Sequence, residues 1–285
     1  MKNPSLHRYA VLVAGSTLLL ILSGAAITSM EGLPGAAATV PAPMWMETAH
    51  RILGSVVLLS TVALLWLVRK DQRGGLKWTA ATAFVLCAGE AFLGNQAANL
   101  GNQAAGALPM IGVLHALLAQ LLFTATAAVA LLTAPQPEKV KATEAPPPAF
   151  RSLAFIIAGL VLLQVLLGDA YRHRAMGVIL HILNAMIVAL VIFVVGMLVT
   201  RKPETPEHLR SAAVSLMVVT GIQVLLGFAV FILLLMFPRN NLALVLTSVA
   251  HVATGALTLA ASMAFALAII SEPLGQQVPS VHSKR

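Results

Sequence analysis

Apolar residues fill eight long stretches of the chain, separated by short segments rich in polar residues, glycine and proline. Each stretch has about 18 to 25 residues, the length that crosses a ~30 Å hydrocarbon layer as an α-helix. Because lipid offers no water to backbone amides, we predict that every stretch is helical. The fold class is therefore an all-α integral membrane protein, with spans at residues 10–29, 47–68, 78–96, 110–132, 152–170, 175–199, 211–236 and 243–269.

Composition and charge agree with this prediction and add an orientation. Hydrophobic residues make up 59% of the chain and charged residues only 10%. An even number of spans places both termini on one side, and basic residues collect on the cytoplasmic side of membrane proteins. With the termini inside, the 18 Lys and Arg residues are cytoplasmic except Arg51, Arg172, Arg174 and Arg239. We therefore predict a multi-pass protein of the cell (inner) membrane with lipid as its surroundings, and the net charge of +8 requires no nucleic acid.

The chain divides into two similar halves. Residues 133–150 are rich in proline, alanine and charge and are predicted to be a cytoplasmic linker between a half at 1–132 and a half at 151–285. His50 and His181 are 131 residues apart, and His115 and His251 are 136 apart. Such a constant offset indicates a duplication. We predict two pseudo-symmetric four-helix bundles that share one orientation in the membrane.

Four histidines lie near the outer ends of alternate spans and form two matched pairs, His50 with His115 and His181 with His251. A duplicated set of membrane histidines favours metal ligands over packing residues. Non-haem metal sites in helix bundles usually add carboxylates or a second histidine one turn away. Neutral imidazoles on facing helices suit the axial positions of haem iron. Small residues one turn after each histidine, such as Gly54 and Gly255, are predicted to leave room for a flat ring.

The two predicted sites differ in their charged neighbours. Glu47 precedes His50 by three residues, on the same helix face, whereas Val178 takes that place before His181. A carboxyl group there either complements the helix dipole or handles protons beside a haem. A second asymmetry is Glu90, which stands where the repeat has Gln223. The arginines at the outer edge either snorkel to the interface or bind haem propionates: Arg51, Arg172 and Arg174.

These motifs resemble the haem A synthase family over nearly the whole chain. The resemblance rests on Glu47-x-x-His50-Arg51, on one histidine in each of spans four, six and eight, and on the repeated x-x-x-Gly motifs. It implies oxidation of the C8 methyl group of haem O to a formyl group, which gives haem A for cytochrome oxidase. It also implies a haem B cofactor on His181 and His251, and haem O as substrate at His50 and His115 with Glu47 as the acting carboxylate.

The resemblance further implies haem O synthase as a partner, and an electron acceptor that the sequence does not identify; it leaves an oligomer open. Relatives often carry a cysteine pair in the first outer loop, whereas Cys87 in the third span is the one cysteine of this chain. The alternative function is a non-catalytic dihaem electron carrier. Glu47 and the longer outer loop of the first half favour the enzyme.

Overall fold

A computed structural model of the chain describes residues 4–30, 42–100, 108–135, 148–203, 205–237 and 241–271. Within these residues the chain forms eight α-helices and no strand, and every helix is long and apolar enough to cross a membrane. The predicted all-α fold is confirmed, and the chain is a multi-pass membrane protein. The helices are α1 (Pro4–Met30), α2 (Met44–Val68), α3 (Gly74–Leu100), α4 (Leu108–Thr133), α5 (Pro148–Arg172), α6 (Ile179–Arg201), α7 (Glu207–Met236) and α8 (Leu242–Ile270).

Local chemistry explains several helix ends. Pro43 and Pro206 precede α2 and α7, where a fixed φ suits a helix start. The Asn241 side chain accepts a hydrogen bond of 2.9 Å from the Ala243 N–H and thereby caps α8. Helix α5 ends at Arg172, and Arg174 two residues later has a left-handed φ of 63°, as is common just after helix C-termini. Because of this turn, α6 begins at residue 179 and not at the predicted 175.

The helices of each half pack in a closed ring that follows chain order. In the first half α1 contacts α2, α2 contacts α3, α3 contacts α4, and α4 returns to α1. The second half repeats this with α5, α6, α7 and α8. The helices that carry the paired histidines, α2 with α4 and α6 with α8, therefore stand at opposite corners of their rings. Side chains at these corners meet in the centre of each bundle.

The halves join through α1, α4, α5 and α8. Helix α4 contacts α8, while α1 contacts α8 and α4 contacts α5. The contacts α1 with α8 and α4 with α5 correspond to each other in the repeat, because α5 is the counterpart of α1 and α8 is the counterpart of α4. Helix α4 ends at Thr133 and α5 begins at Pro148, so the predicted linker is helical over its last three residues. Residues 136–147 of that linker lie outside the described part of the chain.

Burial follows the requirements of a lipid solvent. One buried cluster, which includes Ile157, Ile192 and Phe265, fills the second half, and smaller clusters fill the first. Large apolar side chains elsewhere point outwards, as Leu235 does with 74% of its surface exposed. Several buried hydroxyls bond back to their own helix, for example Thr17 to the Val13 carbonyl at 2.8 Å. This satisfies polar groups where no water reaches them.

Candidate haem-binding sites

Both predicted histidine pairs come together in the structure. The ring centres of His50 and His115 are 6.4 Å apart, with their planes at 77°. Those of His181 and His251 are 6.2 Å apart, with their planes at 78°. All four rings are half-buried. The two pairs thus share nearly the same geometry although they lie in different halves of the chain.

This spacing fits a metal held between two imidazoles. A bond of about 2 Å to each ligating nitrogen, with roughly 1 Å from nitrogen to ring centre, needs ring centres about 6 Å apart. Both ring planes can contain the axis through such a metal and still stand at any angle to each other, so the angles are compatible. Among the described residues, no three His, Cys, Asp or Glu side chains are grouped to hold a metal ion. Two imidazoles per site are the axial ligands of a bis-histidine haem.

Each histidine ring rests on a glycine of the preceding helix. A Cβ atom added to Gly24 would lie 3.1 Å from Cε1 of His50, and one added to Gly168 would lie 3.0 Å from Cε1 of His181. Equivalent approaches are 3.3 Å between Gly94 and His115 and 3.1 Å between Gly227 and His251. Any larger residue would displace the ring. We call these four positions the glycine seats: Gly24, Gly94, Gly168 and Gly227.

The glycine seats are different positions from the small residues that follow each histidine by one turn. Small residues one turn after each histidine were expected to leave room beside the imidazole. A Cβ at Gly54 would instead meet Leu20, and one at Gly255 would meet the side-chain amide of Gln223. The room beside each ring comes from the neighbouring helix, because a histidine side chain on a helix projects sideways across the bundle.

Hydrogen-bond acceptors face Nδ1 of both histidines in the first pair. The Ser23 hydroxyl lies 2.7 Å from Nδ1 of His50 and donates its own hydrogen to the Leu20 carbonyl. Oε2 of Glu90 lies 2.8 Å from Nδ1 of His115, at ion-pair distance but off the direction of an aligned hydrogen bond. Glu90 is only 5% exposed. Glu90 therefore faces a predicted metal ligand directly. Its position in the sequence did not identify this contact.

Amides surround the second pair instead. The side-chain nitrogen of Gln164 lies 3.0 Å from Nδ1 and 3.2 Å from Nε2 of His181. Its oxygen accepts a hydrogen bond of 2.8 Å from Asn184, which orients the amide. Nε2 of Gln223 lies 3.4 Å from Nε2 of His251. Within the described residues, Nδ1 of His251 has no hydrogen-bond partner.

Glu47 and Arg51 line an open cleft of about 460 Å³ on α2, together with Met44, Thr48, Ile52 and Ser55. Glu47 is half-buried and Arg51 is exposed. Residue 178, the counterpart of Glu47, is a valine that directly precedes α6. The carboxyl group therefore distinguishes the first site in the structure as it does in the sequence.

The other two arginines that were predicted to bind propionates lie at the end of α5 and just beyond it. Nη2 of Arg172 donates to the Ala25 carbonyl at 2.5 Å and to the Ser29 hydroxyl at 2.8 Å, so it joins α5 to α1 across the two halves. Its neighbour Asp169 accepts hydrogen bonds of 3.1 and 3.3 Å from Gln120 of α4. Arg174 is exposed at the left-handed turn just after α5. Four of these residues lie where the two halves meet, and we call them the junction cluster: Arg172, Ser29, Asp169 and Gln120.

His173 extends the contact between the halves just beyond α5. Its ring packs so closely on Gly112 of α4 that no Cβ atom would fit there. Burial lowers the pKa of His173 to about 4, and the charges of Arg172 and His115 add to this shift. A residue of the second half therefore lies close to the first histidine pair and stays neutral at physiological pH.

Several of these residues gave no signal as site residues in the sequence. Ser23 and Gln120 are single polar residues in apolar spans, and such residues are common in membrane helices. Gly24 and Gly168 are isolated glycines in apolar spans, which are also common in membrane helices. Their role needs two helices in register, which no single span reveals. The spacing Glu90-x-x-x-Gly94 would have been informative, because it places an acceptor and a seat one turn apart.

Comparison with known proteins identifies the family. A family model described as cytochrome oxidase assembly protein, COX15-CtaA, matches residues 31–180. The matched segment begins directly after α1 and runs through α2, α3, α4 and α5 to the start of α6. It includes Glu47, His50 and His115 and covers more than half of the chain.

The chain belongs to this family.

Membership of the COX15-CtaA family confirms the resemblance seen in the motifs. The match ends one residue before His181. No curated protein matched the chain. The family description establishes a role in cytochrome oxidase assembly.

Proposed function

We propose that this protein is a haem A synthase, which oxidises the C8 methyl group of haem O to a formyl group through hydroxylated intermediates. The observation that carries the proposal is the pair of imidazole couples at 6.4 and 6.2 Å, of which only the first has a carboxylate one turn away. Two equal couples suit two haems. Because only the first site has this carboxylate, we assign the haem substrate to the first site and a permanently bound haem cofactor to the second.

In the first half, His50 and His115 would hold haem O from opposite corners of the bundle. Their seats on Gly24 and Gly94 orient the imidazoles and leave the centre of the bundle free for a flat ring. Glu47, on the same helix face as His50, would accept protons released as the methyl group is oxidised. Arg51 beside it lies at the open cleft, where a propionate is expected.

In the second half, His181 and His251 would hold haem B. When bound, this cofactor supplies one-electron redox chemistry. The amides of Gln164 and Gln223 face these histidines, and Val178 stands at the position that Glu47 has in the first half. Arg172 and Arg174 were also predicted to bind propionates here; Nη2 of Arg172 is already engaged with α1, whereas Arg174 is exposed.

The proposed orientation places both termini in the cytoplasm and both haem sites towards the outer face of the cell membrane. It rests on the distribution of Lys and Arg and on the positions of the histidines. His50 is six residues inside α2 and His115 seven residues inside α4, at the ends opposite to the basic inner turns. Haem O and haem O synthase are the proposed partners, and an electron acceptor is required because the reaction is an oxidation.

The test is co-expression with a haem O synthase in a host that makes no haem A. Haem is then extracted and separated by chromatography. Haem A or its hydroxylated intermediate is the expected product, and it should form about 10²- to 10⁴-fold more slowly in a Glu47→Gln variant that still binds haem. Two molecules of haem B, with no oxidised haem, would contradict the proposal and favour the dihaem electron carrier, for which the near-equal spacing of the two couples is the argument.

A further inference from the structure

The polar partners of the histidines differ between the two sites in a way that determines which ring nitrogen is free. We propose that Ser23 and Glu90 are positioning residues that hold the Nδ1 protons of His50 and His115, so that both Nε2 lone pairs of the first site are directed at haem iron. This inference rests on the proposed haem binding. It adds a difference in ligand strength between the two sites.

Ser23 determines the tautomer of His50. A hydroxyl has one hydrogen, and the Ser23 oxygen lies 2.8 Å from the Leu20 carbonyl. We assign that hydrogen to the Leu20 carbonyl, and the hydroxyl oxygen, which lies 2.7 Å from Nδ1 of His50, then accepts from the ring. Nδ1 carries the proton, and Nε2 keeps its lone pair. That is the form of histidine that binds a metal through Nε2.

Glu90 acts in the same way on His115, and more strongly. Its Oε2 lies 2.8 Å from Nδ1 in a position that is almost shielded from solvent. Metal-bound histidines commonly donate their second N–H to a carboxylate, which orients the ring and makes the imidazole a stronger donor. A small rotation of the carboxyl group would align this contact. A stronger imidazole donor stabilises ferric over ferrous iron.

The second site lacks such acceptors. The Gln164 amide is oriented by Asn184 so that its nitrogen faces His181 as a donor. Gln223, the counterpart of Glu90, also turns its nitrogen towards its histidine. A donor beside an imidazole competes with a metal for the lone pair. The first site is thus arranged in advance for two Nε2 ligands, whereas the amides of the second site must turn when haem binds.

The experiment compares Glu90→Gln with the reciprocal change Gln223→Glu in protein purified with its haems. Haem content is measured as the pyridine haemochrome, and the potential of each haem by spectroelectrochemical titration. His50→Ala and His181→Ala assign the signals to the sites. We expect Glu90→Gln to raise the ferrous-to-ferric ratio of the first-site haem about tenfold at a fixed poise, a shift of about 59 mV. Gln223→Glu should shift the second-site haem in the opposite direction.

Ser23 provides a second, milder pair of variants should Glu90→Gln not fold. Ser23→Ala should weaken haem retention at the first site about tenfold. Ser23→Thr keeps the hydroxyl and should restore retention. Unchanged potentials in Glu90→Gln with both haems bound, or equal retention in Ser23→Ala and Ser23→Thr, would overturn the inference. Wild-type protein that binds no haem would instead overturn the proposed function, and this inference with it.

Discussion

The two histidine pairs have nearly the same geometry, whereas the side chains around them differ. Both pairs have ring centres just over 6 Å apart, and every ring rests on a glycine seat. A serine and a carboxylate face the first pair, and amides face the second. The comparison teaches that the duplicated fold retains what sets ligand distance, namely helix packing and glycine. The chemistry of each site is left to single polar residues.

Removing one histidine from each pair tests most directly whether the sites are separate. We expect His50→Ala to abolish haem A formation while the second haem stays bound. His181→Ala should remove the haem of the second half instead. Haem count per chain and chromatography of extracted haem measure both effects. Loss of both haems in either variant would show that the two sites depend on each other.

Glu47 tests whether the carboxylate makes the first site reactive. Because general acid–base groups contribute about 10²- to 10⁴-fold, Glu47→Gln should slow haem A formation by that factor. Haem binding should persist, because the axial histidines are intact. The matched control is Val178→Glu, which places a carboxylate at the equivalent position of the second half. Equal rates in wild type and Glu47→Gln would remove the proposed asymmetry.

The junction cluster tests whether the two halves depend on a polar contact. Arg172→Met would remove the hydrogen bonds to Ala25 and Ser29 that join α5 to α1, and a hydrogen bond from a charged group contributes about 1.5–3 kcal/mol. We expect a lower midpoint of thermal unfolding in detergent, with Arg172→Lys between this variant and wild type. The same midpoint in all three proteins would show that apolar packing of α1, α4, α5 and α8 joins the halves without this cluster.

The glycine seats should differ in their tolerance of a methyl group. The added Cβ lies 3.0 Å from the ring at Gly168 but 3.3 Å at Gly94. Overpacking costs about 1–3 kcal/mol, so Gly168→Ala should weaken haem retention at its site more than Gly94→Ala does. Haem retained per chain after repeated washing measures both. A larger loss of haem in Gly94→Ala than in Gly168→Ala would mean that α5 shifts to accommodate the methyl group more easily than α3 does.

The smallest effect is expected at the inner turn between α2 and α3. Arg73 donates to both Asp71 carboxylate oxygens, and these bonds lower the pKa of Asp71 to about 2. The carboxylate form is favoured in the fold, so this stabilisation is present above pH 4 and is lost as the pH falls towards 2. Because the pair is exposed, Asp71→Asn should cost under about 1 kcal/mol at neutral pH. Denaturation of both proteins at pH 7 and pH 3 should show the difference shrinking at the lower pH.

Much of the fold could be predicted from the sequence because lipid restricts the choices. Apolar runs of sufficient length must be helical, and the repeated histidine offset relates the two halves. The end of α5 could not be placed, since a left-handed Arg174 has no clear sequence signal. The role of Arg172 was equally hidden. A basic residue at an outer helix end suggests an interface or a propionate, and only the packing of α1 against the second half turns it inwards.

The sequence by itself determined the eight helices, the duplication and the four histidines, because each of these depends on residue type and spacing within one span or between spans of known length. The tertiary structure decided what each histidine touches. Contacts such as Ser23 with His50 or Gln120 with Asp169 depend on the rotation and depth of two helices relative to each other. The apolar sequence of a single helix in lipid determines neither its rotation nor its depth. Close packing of a glycine against the histidine ring of the neighbouring helix determines both.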